Sequence, residues 1–174
     1  MRFLKFVAIA LVLIACVVLV VGYRLPKAHQ ASREREYAYA PEKVYQAIAT
    51  PTQYPRWRSG VQKVEFLPDS EKMKRFKETA LDGEVTYVIE ENVPNQRFVT
   101  RIAQEGLPYG GSWTYELEPT QKGTTLRITE DGEVYNPVFR FVARYIIKPT
   151  RSIDRYMSDL DKRLTSGIGD VGTP

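Results

Sequence analysis

The pattern of apolar and polar positions opens with an uninterrupted apolar run. After Arg2 and Lys5, Phe6 to Gly22 form seventeen positions without a charge, dominated by Val, Leu, Ile and Ala, before Tyr23 and Arg24. Such a run predicts a helix just long enough to span a bilayer, and residues 1–23 read as an uncleaved membrane anchor. A cleaved signal peptide is the rival reading. Leu13-Ile14-Ala15-Cys16 also resembles the lipobox at which bacterial lipoproteins are cleaved and acylated on cysteine, although Val17 to Val21 stay apolar where such precursors turn polar. Arg2 and Lys5 are matched by Arg24 and Lys27 beyond the run. The expected topology is a single pass, with the folded part on the extracytoplasmic side of a bacterial membrane.

Residues 24–31 contain a proline and no hydrophobic period, and read as a linker. A strand is predicted over 33–39, ending on Tyr37 and Tyr39. Pro41 then stands at the permissive first turn of a helix whose Val44, Tyr45 and Ile48 share a face. Thr50-Pro51 interrupts it, and TQYPRWRSG reads as a second short helix or turn presenting Tyr54 and Trp57. The period then falls to two. Alternating segments over 61–67, 74–79, 84–90, 97–103, 112–118 and 124–134 are separated by Pro68-Asp69, Asp82-Gly83, Pro94-Asn95, Gly110-Gly111 and Lys122-Gly123. These connections are too short for crossover helices, so the strands form an antiparallel meander. Asn136-Pro137 next supplies an N-cap and a first-turn proline. Apolar residues at 138, 142, 145, 149, 153, 156, 160 and 164 predict one long helix, kinked at Pro149. The domain is placed at 32–166, with a flexible tail at 167–174.

One long helix facing a sheet of six or seven strands makes this an α+β domain whose sheet must curl around that helix. Curvature that side chains do not fill leaves an apolar hollow, a natural ligand site. APEKVYQAIATPTQYPRW at 40–57, YGGSWTYELEP at 109–119 and GTTLRITEDGEVYNPVFRF at 123–141 resemble the START-like, or SRPBCC, superfamily, and within it a bacterial branch with an N-terminal membrane segment. The resemblance spans about residues 32–165. It implies the helix-grip fold and a hydrophobic guest such as a lipid, sterol-like or polyketide-like molecule. It says little of activity, since the superfamily holds carriers, cyclases and receptors alike.

Alternation indicates which side chains face inward. Trp113, Tyr115 and Leu117 share a face, as do Leu126, Ile128 and Glu130, and Phe76 and Glu78. Two carboxylates, Glu78 and Glu130, are therefore candidates for the hollow. A buried carboxylate needs a partner or a raised pKa, and Glu130 has Arg101 or Arg127 as possible partners. In a cofactor-free cyclase or dehydratase, Glu78 and Glu130 would be the acid and base, with Arg101 or Tyr115 steadying an enolate. The expected lining is Phe76, Tyr87, Phe98, Trp113, Tyr115, Ile128, Phe139, Val142 and Tyr145, with the pocket between the Trp113-Tyr115 strand and the Phe139–Tyr145 part of the helix. Arg140, Arg144, Lys148, Arg151 and Arg155 step at helical spacing into a basic stripe. It is either a solvated face or a contact for anionic headgroups. Gly110-Gly111 is expected to permit a bulge or a mobile flap, and not a phosphate loop.

Composition narrows the picture. In 174 residues, 25 basic side chains against 21 acidic give a net charge of +4, too mild to argue nucleic-acid binding. The single Cys lies in the apolar run and the single His, His29, in the linker, so zinc clusters and His-based triads are not expected. No cofactor or metal is foreseen, and a monomer is assumed. Three functions stay open: a tethered module that binds or transfers a hydrophobic small molecule, a cofactor-free cyclase or dehydratase, and a structural envelope protein whose hollow its own side chains fill.

Overall fold

The computed structural model describes residues 2–70, 73–81, 83–146 and 150–166. The apolar run forms α1 (Arg2–Arg24), the one helix among the described residues long and apolar enough to cross a membrane, and its span is unburied by the rest of the chain. β1 (Ala28–Tyr37) begins inside the stretch read as a linker, which shrinks to residues 25–27. There follow α2 (Pro41–Ile48), a 3-10 turn (Pro51–Arg56), and strands β2 (Val61–Ser70), β3 (Met73–Ala80), β4 (Gly83–Val93), β5 (Arg97–Ile102), β6 (Tyr109–Thr120) and β7 (Gly123–Val134).

The seven strands form one antiparallel sheet in the order β1-β7-β6-β5-β4-β3-β2: the predicted meander, with β1 added beside β7. Register shifts between Val61 and Lys63 and between Leu67 and Ser70, and another between Ile89 and Glu91, mark bulges in β2 and β4. Bulges bend strands and increase twist, which is how so wide a sheet curls. Gly110-Gly111 is not one of them. β6 and β7 stay in register from Tyr109 to Thr120, and a Cβ on Gly111 would lie 2.2 Å from the Asp131 carbonyl oxygen. The glycine allows close strand approach.

The predicted long helix is two. α3 (Pro137–Tyr145) is capped as expected, Asn136 Oδ1 accepting from the Val138 and Phe139 amides at 2.9 and 3.3 Å. It packs against the end of α1 and not over the sheet. A Cβ on Gly22 would lie 2.1 Å from the Pro137 carbonyl oxygen, so only glycine permits this approach. Arg140 is buried here, donating to the Leu25 and Tyr135 carbonyls at 3.0 and 3.1 Å. Pro149 lies outside the described residues.

α4 (Arg151–Ser166) is the helix the sheet grips. Its Ile153, Tyr156, Met157, Leu160 and Leu164 meet Ala31 and Tyr37 of β1, Val44 and Ile48 of α2, and Phe98, Tyr115, Leu126 and Ile128 of the sheet in one core. Each such apolar side chain contributes about 1.5–3 kcal/mol on burial. Polar ties fix its position: buried Asp159 accepts from the Ser59 amide and hydroxyl at 2.7 and 2.5 Å, and Arg33 and Arg35 of β1 pair with Asp154 and Asp161.

The change of partner at α3 has a measurable consequence. In urea unfolding of the full chain in detergent, Leu160→Ala is expected to cost about 2–5 kcal/mol, as for a large-to-small core change. Phe139→Ser and Tyr145→Ser, at positions read from sequence as pocket lining, are expected to stay within about 0.5 kcal/mol.

Candidate functional site

A second, smaller cluster of Tyr54, Val61 and Phe76, with Trp57, Val64, Tyr87 and Ile89 against it, lies beside the α4 core on the β2–β4 side of the sheet. Trp57 and Ile89 touch both clusters. The 3-10 turn builds this region. Tyr54 donates its hydroxyl to the Ile48 carbonyl at 2.5 Å, and its own carbonyl accepts from the Trp57 and Arg58 amides at 3.1 and 2.8 Å. Tyr54, Trp57 and Arg58 are thereby turned inward together, opposite the Phe76 and Glu78 face of β3.

Phe76 stacks on Tyr87 with centroids 5.2 Å apart. Tyr54 meets Phe76 and Trp57 edge on, while Trp57, Trp113 and Tyr115 all meet the Tyr156 ring at 5.3 to 5.8 Å. Such edge and tilted contacts are the favoured geometries of aromatic pairs. Between them lies one ion pair, Arg58 Nη1 to Glu78 Oε2 at 2.6 Å, with the guanidinium 4.7 Å from the centroid of Tyr54 and 5.2 Å from that of Tyr156. Burial disfavours the cation, yet the Glu78 charge together with Tyr156, Tyr115 and Tyr54 outweighs it, and the Arg58 pKa is raised. Burial likewise lifts Tyr54, Tyr87, Tyr115 and Tyr156 above the ordinary tyrosine value, with the Glu78 charge adding to the effect at Tyr87. At this centre buried Trp57 Nε1 lacks a hydrogen-bond partner among the described residues, and the Tyr156 hydroxyl makes no well-formed hydrogen bond, only looser contacts with the Tyr54 and Tyr115 hydroxyls.

Of the residues singled out from sequence, Phe76, Phe98, Tyr115 and Ile128 are buried in this interior, Tyr87 and Trp113 border it, and Glu78 is its carboxylate. Glu130 is not beside Glu78. Four strand steps separate β7 from β3, about 19 Å on a flat sheet. Glu130 sits at the rim, accepting from Ser152 Oγ at 2.9 Å and facing His29 Nε2 at 3.6 Å, so neither Arg101 nor Arg127 is its partner. Arg101 belongs to the outer face, half exposed and bound to Glu90 at 2.5 Å, and cannot steady an enolate inside.

Phe139, Val142 and Tyr145 lie on α3, away from the interior, with Phe139 and Tyr145 largely exposed. The basic stripe is broken: Arg140 points into the fold, Arg144, Arg151 and Arg155 are exposed on two separate helices, and Lys148 is outside the described residues. Arg58 and Tyr156 were not singled out as site residues. Tyr156 lay in plain view in the helical stripe. Arg58 had no signal, because within Arg56-Trp57-Arg58 neither period says which cation turns inward. An open surface groove bordered by Pro41, Glu42, Asn95, Arg97, Glu116 and Glu118 lies outside the interior.

A family model described as polyketide cyclase / dehydrase and lipid transport matches residues 28–164. No curated relative matches the sequence. Among solved structures, a START superfamily protein from Mycobacterium smegmatis is similar over 79% of this chain and 98% of that one, with 15% identity and a TM-score of 0.63. The Zhui aromatase/cyclase from Streptomyces sp. R1128 is similar over 82% and 99%, with 12% identity and a TM-score of 0.62. The di-domain aromatase/cyclase StfQ of the steffimycin biosynthetic pathway gives 15% identity and a TM-score of 0.62 over 82% of this chain, which spans only about half, 51%, of StfQ. At such identities the likeness is one of fold.

Two predictions follow from the charge and burial of the interior. Glu78→Leu leaves a guanidinium unpaired in a largely apolar setting and is expected to cost about 2–4 kcal/mol, whereas Arg58→Met with Glu78→Leu recovers most of the loss; urea midpoints of the two variants in detergent measure this. For the tyrosines, the raised folded-state pKa means that stability is complete below the unfolded value of 10.0 and is lost as pH rises above it. In an alkaline titration at 295 nm, the absorbance of Tyr54, Tyr87, Tyr115 and Tyr156 is expected to rise only with unfolding, not as a separate earlier step.

Proposed function

The chain belongs to the polyketide cyclase/dehydrase and lipid transport family, and we propose that it is a membrane-tethered module that binds or transfers an oxygen-bearing hydrophobic small molecule in the aromatic interior between its sheet and α4. The observation that carries this reading is a pair of buried donors beside the Arg58–Glu78 ion pair, Trp57 Nε1 without a partner among the described residues and the Tyr156 hydroxyl with only loose contacts to the Tyr54 and Tyr115 hydroxyls. A buried donor left unsatisfied costs about 1–3 kcal/mol. Here a carbonyl or hydroxyl oxygen of a guest would satisfy both, while the faces of Trp113, Tyr115 and Phe76 take its apolar body. The rings pack against one another here, so a guest enters by displacing them. The segment holding Tyr54, Trp57 and Arg58 is tied to α4 through Ser59 and Asp159, and that tie is the natural one to open.

The tether is α1, with the domain on the extracytoplasmic side of a bacterial membrane. The cyclase or dehydratase alternative has less support. It asks for two carboxylates at one substrate, and Glu78 is already neutralised by Arg58 while Glu130 is held at the rim.

The two tryptophans, Trp57 and Trp113, both border the interior, so their emission reports on binding. Anthraquinone added to the full chain in micelles is expected to quench it, and Tyr156→Phe to weaken that binding by about 5- to 30-fold, the worth of one hydrogen bond to a buried oxygen. Anthracene, which offers no oxygen, is expected to bind both proteins alike. If neither compound alters the emission and native mass spectrometry detects no adduct, the interior is a filled structural core and the binding reading is wrong.

A further inference from the structure

We propose that α3 is a second membrane contact, an interfacial helix that lies in the headgroup region beside the exit of α1 and fixes which end of the domain faces the bilayer. The inference rests on α1 being a membrane span. Its uncharged run, Phe6 to Gly22, has seventeen residues, about 26 Å of helix at 1.5 Å per residue. A hydrocarbon core is about 30 Å thick. A run this short holds Gly22 at the boundary of the hydrocarbon, and whatever touches Gly22 must lie at that depth. Pro137, the first residue of α3, touches it.

What α3 exposes there is apolar. Phe139 is 50% exposed, Tyr145 62% and Ile146, just past its end, 71%. In water such a cluster is costly, whereas partly inserted between headgroups it is covered. Its charge agrees with that position: Arg140 is turned inward to the Leu25 and Tyr135 carbonyls, which clears the apolar side, and Arg144 remains exposed for an anionic headgroup. Tyr23, Tyr109 and Tyr135 are exposed at the same end of the sheet and helix, the residue type that favours membrane interfaces. At the opposite end, the described residues of the Lys122-Gly123 hairpin carry no large exposed apolar side chain.

Nitroxide labels at single cysteines test this in the full chain, in a Cys16→Ser background, reconstituted in phosphatidylcholine vesicles containing phosphatidylglycerol. Labels at Phe139→Cys and Ile146→Cys are expected to collide with oxygen in several-fold preference to a water-soluble nickel complex, relative to a label at Lys122→Cys. A label at Val12→Cys reports the hydrocarbon centre. If positions 139 and 146 match 122 while 12 reads as hydrocarbon, the α3 contact is wrong and the tether stands. If 12 itself reads as water, the tether and the α3 contact fall together.

Discussion

A single helix of sixteen residues has to cover one face of a seven-stranded sheet, and the rest of the structure answers that constraint. α4 is about 24 Å long at 1.5 Å per residue, and it rests on β1 and α2. On the β2–β4 side of the face, Tyr54, Val61 and Phe76 form a cluster of their own, joined to the α4 core through Trp57 and Ile89. The chain covers that side with the 3-10 turn after α2, which delivers Tyr54, Trp57 and Arg58 over β3. Arg58 is the demanding component. A cation among rings is tolerable because Glu78 neutralises it and because two aromatic faces flank it. Asp159 then joins the turn to the helix through Ser59, so the two covers of the sheet are held as one.

How much of this was legible follows from what each pattern encodes. Period two gave the strands and correctly turned Phe76, Glu78, Tyr115 and Ile128 inward, because a strand between two turns has only two faces to offer. The order of the strands followed from short connections. Helical spacing was less informative across Pro149. Apolar residues at 138, 142 and 145 continue the register of 153, 156, 160 and 164, yet they serve a different partner. A stripe reports that a face is buried or covered, not what covers it. The reading of Phe139 and Tyr145 as pocket lining failed for that reason, and Arg140, read as part of a surface stripe, proved to be a buried donor to two carbonyls. The inward turn of Arg58 depends on a tertiary pairing with a strand twenty residues on, and no local period records such a pairing.

The same register arithmetic bears on chemistry. Glu78 and Glu130 both follow an inward-facing apolar residue by two positions, and alternation alone treats them as equals. Their strands are not neighbours, and the sheet order sets them far apart. One carboxylate is then committed to Arg58 and the other to Ser152 at the start of α4. Both are accounted for by holding the fold together, which leaves Trp57 Nε1 and the loosely held Tyr156 hydroxyl as the donors of this interior, among the described residues, with capacity to spare. A centre with donors but no free base suits recognition of an oxygen more than proton abstraction.

The proposed tether and the proposed guest impose compatible demands on the domain. A hydrophobic guest has low solubility in water, so a short path between bilayer and interior favours its capture. With α3 at the interface, the end of the sheet carrying Tyr109 and Tyr135 faces the lipid, and α4 is the next element along the chain. The helix that covers the interior is thus joined to the helix that touches the membrane. At the N-terminal end of α4, Ser152 and Asp154 hold on to the sheet through Glu130 and Arg33. Exposed pairs of this kind are worth little individually, so buried Ile153, which lies between them, is the main fastening at this end, as Met157, Leu160 and Leu164 are further along the helix. The Ser59–Asp159 tie, farther along α4, remains the one whose release would admit the guest.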